Sequence, residues 1–268
     1  MPKRITIQLV GSLFDKEDVR LGDLIDQLRV VKRALLENER VLTEHPILDY
    51  KVVDLRHNSP ATVVLEPVAA NGTPPPPAYI NQVLTDFSSE LRAIKRDGKL
   101  LREPEINRLE AYQQLGHQKD SLITKLRIIV DRKAVTIDEN FNGKIEDILG
   151  PDELVEGSIS GMLEAVNFHH TNKFTLWPML GPRKIAGTFT PDLRPKVKDA
   201  IGRFVTVPGQ LRYKAWSPFP HGVVAEDIDP HLPDSDLPTL SELKGAFPEL
   251  TGTATSVEFV ERIRNEGW

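Results

Sequence analysis

The chain has 268 residues, which is long for one domain and sufficient for two. Its 40% hydrophobic and 27% charged residues are ordinary for a soluble globular protein. It contains no cysteine, which excludes disulfides, thiolate zinc sites and cysteine nucleophiles and suits a reducing compartment. No window approaches the roughly 18 apolar residues of a membrane span, and the N-terminus lacks the apolar run of a secretory signal. We therefore expect a cytoplasmic protein with no membrane partner.

The first residues of the chain predict a mixed arrangement of strands and helices. Alternating apolar residues in Arg4–Val10 indicate a strand, and a helical spacing of apolar residues follows in Leu21–Leu35. Two valine-rich segments, Lys51–Arg56 and Ala61–Glu66, are separated by turn residues and indicate a hairpin. A proline-rich spacer then occupies residues 72–77.

Further helices and strands complete the predicted N-terminal domain. Amphipathic helices are predicted at residues 80–98 and from Pro104 onward. Residues 122–137 favour strands, and a short helix ends at Gly150. We predict that residues 1–150 form one α+β domain whose late strands rejoin the early hairpin.

From Gly157 onward the pattern changes to strands. The predicted strands include residues 159–165 and span Lys173–Trp177, Lys184–Phe189, Arg203–Lys214 and Gly222–Asp229. Between the third and the fourth, residues 190–202 predict a helix, because Pro191 suits a first helical position and Gly202 suits a helix end. Three strands, a helix and two strands is the element order of the OB-fold, a partly open five-stranded barrel.

The stretch Gly202–Tyr213 resembles the fourth strand of many OB domains, in which V-x-V-x-G recurs. The resemblance covers about 75 residues and implies an all-β OB-like barrel, with one helix, within residues 151–232. Pro208 departs from it, since a proline inside a strand requires an edge or a bulge. Another small barrel is the alternative. The predicted core comprises Leu163, Leu176, Ile185, Val197 and Ile201, and Lys198 is predicted to face water.

The barrel segment carries basic and aromatic side chains near its predicted turns. OB-folds hold oligonucleotides in such regions, and aromatic platforms interleaved with basic groups suit single strands. The candidate nucleic-acid-binding residues are His169, Lys173, Phe174, Trp177, Arg183, Lys184, Arg212, Tyr213, Lys214 and Trp216. The alternative is that the aromatic side chains fill the barrel or pack on the N-terminal domain. With 9 basic and 6 acidic groups, residues 157–232 lack the basic stripe of a dedicated DNA-binding domain.

Catalytic motifs are missing from the sequence. There is no phosphate-cradling glycine loop, zinc-protease helix or dinucleotide fingerprint. The string Gly157-Ser-Ile-Ser-Gly161 has isoleucine where a nucleophile elbow requires serine. His169 and His170 are adjacent, and neighbours on a strand point to opposite faces, so they cannot easily share a metal. We predict no enzyme, no catalytic residue, no metal and no cofactor.

Residues 233–268 are predicted to form an extended C-terminal tail, a polar linker followed by an amphipathic helix that Ser256 can cap. The last 13 residues are similar to the C-termini of Phd- and VapB-type antitoxins that pair with PIN-domain ribonuclease toxins. Those often end in R-x-I-R-x-E-W, and the matching residues are Arg262, Ile263, Arg264, Glu266 and Trp268. Gly267 departs from the pattern as an extra residue.

The antitoxin resemblance implies a protein partner. In that family the tail wraps the toxin, and an arginine enters its cluster of metal-binding carboxylates. The implied partner-binding residues are Phe259, Arg262, Ile263, Arg264 and Trp268. The alternative is a helix folded back onto its own barrel. We therefore predict a non-enzymatic binding protein that sequesters a PIN-type toxin through its tail, with single-stranded nucleic-acid binding as the alternative function.

Overall fold

The computed structural model describes residues 3–57, 59–72, 74–116, 121–169, 171–182, 184–232, 236–237, 240–243 and 254–266. The chain divides into two compact units. Unit 1 comprises Met1–Glu153 and Tyr213–Pro218, and unit 2 comprises Leu154–Arg212 and Phe219–Trp268. The protein is a mixed α/β protein with one five-stranded and one six-stranded sheet.

Unit 1 contains the five-stranded antiparallel sheet, in the order β2-β3-β1-β4-β5. Its strands are β1 Ile5–Val10, β2 Leu48–Arg56, β3 Ala61–Ala69, β4 Lys125–Val130 and β5 Lys133–Ile137. The β4–β5 hairpin joins the β2–β3 hairpin through β1, which pairs with both β3 and β4. The tight turn between β4 and β5 contains Asp131 and Arg132, both with left-handed backbone angles, as a two-residue hairpin loop requires.

Four helices cover this sheet and form the main core with it. They are α1 Leu21–Arg40, α2 Pro77–Asp97, α3 Ile106–Gly116 and α4 Glu139–Leu149. The alternating residues Ile5, Ile7 and Leu9 of β1 are fully buried, because their shared face meets the helices. The proline-rich stretch leads directly into α2, whose first residue is Pro77, a position where the missing N–H is not needed.

Unit 2 contains the six-stranded sheet. Its strands are β6 Asp152–Asn167, β7 Lys173–Trp177, β8 Ile185–Thr188, β9 Phe204–Lys214, β10 Gly222–Ala225 and β11 Asp229–Pro230. Their order is β10-β8-β7-β6-β9-β11, and β10 pairs with β9 as well as, in parallel, with β8. The predicted fifth strand is therefore two strands, β10 and β11, separated by residues 226–228.

The predicted helix between β8 and β9 is confirmed. A 3₁₀ turn at Pro191–Leu193 leads into α5, Arg194–Asp199. Val197 is fully buried and Lys198 is exposed, as predicted. The strand residues Leu163, Leu176 and Ile185 are also fully buried, as predicted.

The predicted burial of Ile201 is wrong, since its exposed fraction is 44%. The helix ends at Asp199, and Gly202 turns the chain with φ +76°, so Ile201 follows the last helical turn and leaves the helical spacing. Ala200, one residue earlier, is fully buried.

Pro208 lies where the pairing of β9 changes. Val205 and Thr206 pair with β11, whereas Gly209 and the residues after it pair with β10. Pro208 belongs to neither of these two pairings, so its missing N–H interrupts neither ladder. Its carbonyl oxygen accepts the backbone N–H of Glu226 at 3.0 Å, in the segment that separates β10 from β11.

Two helices of the tail are described, α6 Leu240–Leu243 and α7 Ser256–Glu266. No helix in the described part of the chain is both long enough and apolar enough to cross a membrane.

Candidate binding surfaces

The first candidate surface is one face of the unit 2 sheet. In β7 the residues Phe174 and Leu176 are buried, whereas Lys173, Thr175 and Trp177 are not. Strand residues alternate between faces, so these last three lie on the side away from the core. We call this side the β7 face, and its other members follow from the strand register.

The register places small residues in a row across the middle of the β7 face. Thr175 lies opposite Ala186, Ala186 opposite Gly222, and Gly222 opposite Arg212. The Arg212 guanidinium lies across Gly222, since an ideal Cβ there would be 2.6 Å from Arg212 Nη2. The row is therefore a shallow strip with a cation at one end.

Three other predicted residues lie at the ends of β7 and β8 on this side, and a fourth, His169, lies in the loop after β6. Lys173 is exposed at one end of β7 and Trp177 is half-buried at the other, and Lys184 is exposed just before β8. Four residues of a strand span about 13 Å, so Lys173 and Trp177 mark two ends of the face. His169 is exposed in the loop after β6, where its backbone N–H donates to Asn167 Oδ1 at 2.8 Å.

Phe174 is in the core of unit 2, with an exposed fraction of 2%. Its ring fills the space beside Gly187, where an ideal Cβ would come within 2.0 Å of the ring. Phe174 therefore cannot stack on a base without rearrangement of the core, which corrects its predicted role. Arg183 lies outside the described residues, as does His170.

Tyr213, Lys214 and Trp216 belong to unit 1. The Trp216 indole N–H donates to the carbonyl oxygen of Ile148 at 3.1 Å, and its ring packs against the unit 1 core. Lys214 Nζ donates to the carbonyl oxygen of Gly150 at 2.7 Å and forms an ion pair with Asp152, also at 2.7 Å. These contacts commit the side chains of Lys214 and Trp216 within unit 1.

The second candidate surface is helix α7, which begins with a capping box. The backbone N–H and the hydroxyl of Thr255 both donate to Glu258 Oε2 at 2.8 Å, and the Glu258 N–H donates to Thr255 Oγ1 at 3.3 Å. These hydrogen bonds hold the pKa of the Glu258 carboxyl below its usual range. The N-cap is therefore Thr255, and the predicted cap Ser256 is the first helical residue.

Helix α7 carries an apolar face that lies largely in solvent. The exposed fractions of Val257, Val260 and Ile263 are 67%, 46% and 41%. Phe259 is half-buried, and the guanidinium carbon of Arg262 lies 5.4 Å from its ring centre, a cation–π contact. Arg264 is exposed, and Trp268 lies outside the described residues.

Sequence reasoning missed two features of these surfaces. The string Thr255-Ser-Val-Glu258 has the spacing of a capping box, so a local signal for it was present. The small-residue row could not be found, because it requires the register of four strands that are distant in sequence. Among the described residues, no group of three or more acidic, histidine or cysteine side chains could hold a metal ion.

No family model, no curated protein and no solved structure matches this chain.

Proposed function

We propose that this chain is a non-enzymatic binding protein that captures a protein partner through α7, and that the partner is a PIN-type ribonuclease toxin. The observation that carries the proposal is the exposed apolar face formed by Val257, Val260 and Ile263. The resemblance of the tail to antitoxin C-termini names the class of partner.

The energetics of a short helix favour a partner. An isolated helix of fewer than about 12–15 residues is marginal in water, and α7 has 11 residues. Its capping box offsets part of the cost of ordering. Covering the three aliphatic side chains would add roughly 1 kcal/mol or more for each, since full burial of such a side chain contributes about 1.5–3 kcal/mol.

The charges beside the apolar face suit an acidic partner. Arg262 and Arg264 are exposed on the last turns of the helix. A guanidinium can bind a carboxylate bidentately, and carboxylates surround the metal site of PIN-type nucleases in the antitoxin family's partners. Arg262 already lies against Phe259, which limits the freedom that it would lose on binding.

A capture experiment with matched variants tests this function. The tagged full-length chain and the variant Val260→Asp with Ile263→Asp would be used to recover partners from the native cell, with identification by mass spectrometry. The control is Glu261→Ala with Asn265→Ala, on the polar side of the same helix. We expect a PIN-domain protein with the wild type and the control but not with the aspartate variant. Equal recovery by all three chains, or no PIN-domain protein with any, contradicts the proposal.

The second candidate function is single-strand nucleic-acid binding by unit 2 as an OB-type barrel. The strand pairings favour it, because each of β6 to β10 has at least two strand neighbours and β8 and β10 are parallel. The order β6, β7, β8, helix α5, β9 and β10 matches the OB order along the chain, with the two-residue strand β11 as an addition. A bound single-stranded nucleic acid would lie over the strip of small residues beside Arg212. Trp177 would stack on a base, and Lys173, Lys184 and His169 would lie near phosphates.

Fluorescence anisotropy with labelled oligonucleotides tests the second function. At about 50 mM salt the chain should bind single strands, and the affinity should fall steeply toward 200 mM because phosphate contacts release counterions. Trp177→Ala should cost roughly 1–3 kcal/mol of binding free energy. Lys198→Ala, on α5 and away from the β7 face, is the control and should have little effect. Absence of binding at low salt would remove this candidate.

A further inference from the structure

Strand β2 forms one edge of the unit 1 sheet and presents apolar side chains there. Within the described ranges it pairs only with β3. The exposed fractions of Val52, Val53 and Leu55 are 54%, 37% and 60%. A nine-residue edge strand offers unpaired N–H and C=O groups, so it is a template for a further strand.

A bulge at Val53 sorts the side chains of β2 into two sets. Val52 lies opposite Leu65 and Asp54 opposite Val64, so Val53 is the extra residue. Leu48, Tyr50, Val52 and Leu55 therefore share the side on which Val63 and Leu65 of β3 are buried. The other side of β2 carries, in order, Asp49, Lys51, Asp54 and Arg56, a row of alternating charge.

We propose that β2 is a homodimer interface, at which a second copy of this chain adds its own β2 in antiparallel orientation. A two-fold axis between Val52 and Val53 places Lys51 opposite Asp54 of the second copy. The same axis places Asp49 opposite Arg56 of the second copy. Because the relation is symmetric, each pair occurs twice, and no like charges lie opposite each other.

The apolar set fits the same register. The two-fold axis brings Val52 of each copy opposite Val53 of the other and Tyr50 opposite Leu55 of the other. A bulge ordinarily blocks edge-to-edge pairing, because it disrupts the ladder on one strand only. Here the axis passes through the bulges of both copies, so the two irregularities coincide. A sheet then runs continuously through both copies.

The charged groups of β2 can gain a second partner without losing the first. Lys51 forms an ion pair with Glu66 at 2.7 Å, Asp54 with Arg56 at 2.8 Å, and Asp49 with Lys32 at 2.8 Å. Lys51, Arg56 and Asp49 keep 53%, 68% and 45% of their side-chain surface exposed. Exposed ion pairs contribute little affinity individually, so the charges set the register while the apolar side chains and the ladder supply the attraction.

Charge reversal with reciprocal rescue tests the interface. Sedimentation equilibrium of the wild-type chain should show association from 30.1 kDa to twice that mass, with a dissociation constant in the micromolar range. In Lys51→Asp or in Asp54→Lys, two like-charge pairs replace the two Lys51–Asp54 pairs across the interface. The dissociation constant of the dimer should therefore rise by roughly tenfold or more. An equimolar mixture of these two variants restores every opposite-charge pair and should restore dimerisation. Lys133→Asp on the other edge strand is the control and should leave it unchanged.

A wild-type chain that stays monomeric up to about 100 μM overturns the proposal. So does a wild-type dimer whose dissociation constant is unchanged in both variants, or a mixture of the two variants that does not dimerise. A folding defect in a single variant would not be repaired by mixing.

Disulfide trapping gives a second measurement that does not depend on charge. The chain has no cysteine of its own. Opposite residues of an antiparallel pair have Cα atoms about 4.5–5.5 Å apart, which a disulfide can span. A mixture of K51C and D54C should therefore form a linked heterodimer, whereas each variant alone, three residues out of register at about 10 Å, should not. A linked homodimer of either variant alone, or no linked heterodimer from the mixture, contradicts the assigned register.

Discussion

Helices α5 and α7 both belong to unit 2 and both carry an apolar stripe, yet the two stripes have opposite environments. The stripe of the α5 segment, Leu193, Val197 and Ala200, has exposed fractions of 7%, 0% and 0%. The stripe of α7, Val257, Val260 and Ile263, has exposed fractions of 41–67%. An amphipathic pattern therefore establishes that a helix has an apolar face, but not whether its own chain covers that face.

The difference has a physical origin in what each helix can reach. Helix α5 is only six residues long and joins β8 to β9, so its two connections hold it against the sheet of its own unit. Helix α7 is longer, follows the polar linker, and is stabilised locally by its capping box. Short amphipathic helices without cover are a recognised class of peptide-like ligands that dock into grooves of other proteins.

The largest effect is expected at Val197. Val197→Asp would place a carboxylate in the unit 2 core, so the free energy of unfolding should fall by about 3 kcal/mol or more. Lys198→Asp, one residue further on and exposed, should cost little. Urea unfolding followed by circular dichroism measures both. Similar losses for the two variants would contradict the assignment of the stripe.

A smaller, local effect is expected at the start of α7. Thr255→Ala removes the side-chain half of the capping box, and such caps contribute about 0.5–2 kcal/mol. Because α7 is exposed, the loss should appear as faster amide hydrogen exchange within 256–266 and not in the strands of either unit. Slower or unchanged exchange in α7 would show that the cap is not formed in solution.

A still smaller effect is expected at Ile201. Although it lies four residues after Val197, it is 44% exposed, so Ile201→Asp should reduce the free energy of unfolding by only about 1 kcal/mol or less. The same urea titration compares it with Val197→Asp. A loss of stability as large as that of Val197→Asp would indicate that Ile201 is buried, as the sequence predicts.

The smallest effect is a pH dependence of α7. The pKa of Glu258 is lowered by its hydrogen bonds to Thr255, so the capping box stabilises the helix above the ordinary glutamate pKa of about 4.3. That stabilisation is lost as the pH falls through the lower pKa of the folded helix. Carbon chemical shifts of residues 256–266 should report progressive loss of helix at acid pH. Glu258→Gln should remove the carboxyl titration from those shifts.

Local patterns in the sequence predicted most of the elements. Strand β7 has the predicted bounds, and α1 begins where its apolar spacing begins. The hairpins, the helix before β9 and the end of α4 before Gly150 also follow from residues close together in the chain. Such signals act over a few residues, because turn chemistry, capping and periodicity depend on the local backbone.

Which side chains lie on the candidate surfaces depended on contacts between residues that are distant in the sequence. Phe174 and Trp177 lie three residues apart on β7 and therefore point to opposite faces, and only the packing beside Gly187 shows that the face of Phe174 is the buried one. Trp216 follows β9 in sequence, and a hydrogen bond to Ile148 commits it to unit 1.

The sequence by itself determined the mixed α/β composition, the approximate bounds of most strands and helices, and the amphipathic character of α5 and α7. Three features were decided by the tertiary structure alone. They are the register that aligns Thr175, Ala186 and Gly222, the bulge at Val53, and the exposure of Ile201. The reason is that side-chain period is a property of one segment, whereas burial and register are properties of pairs of segments, and no single segment contains that information.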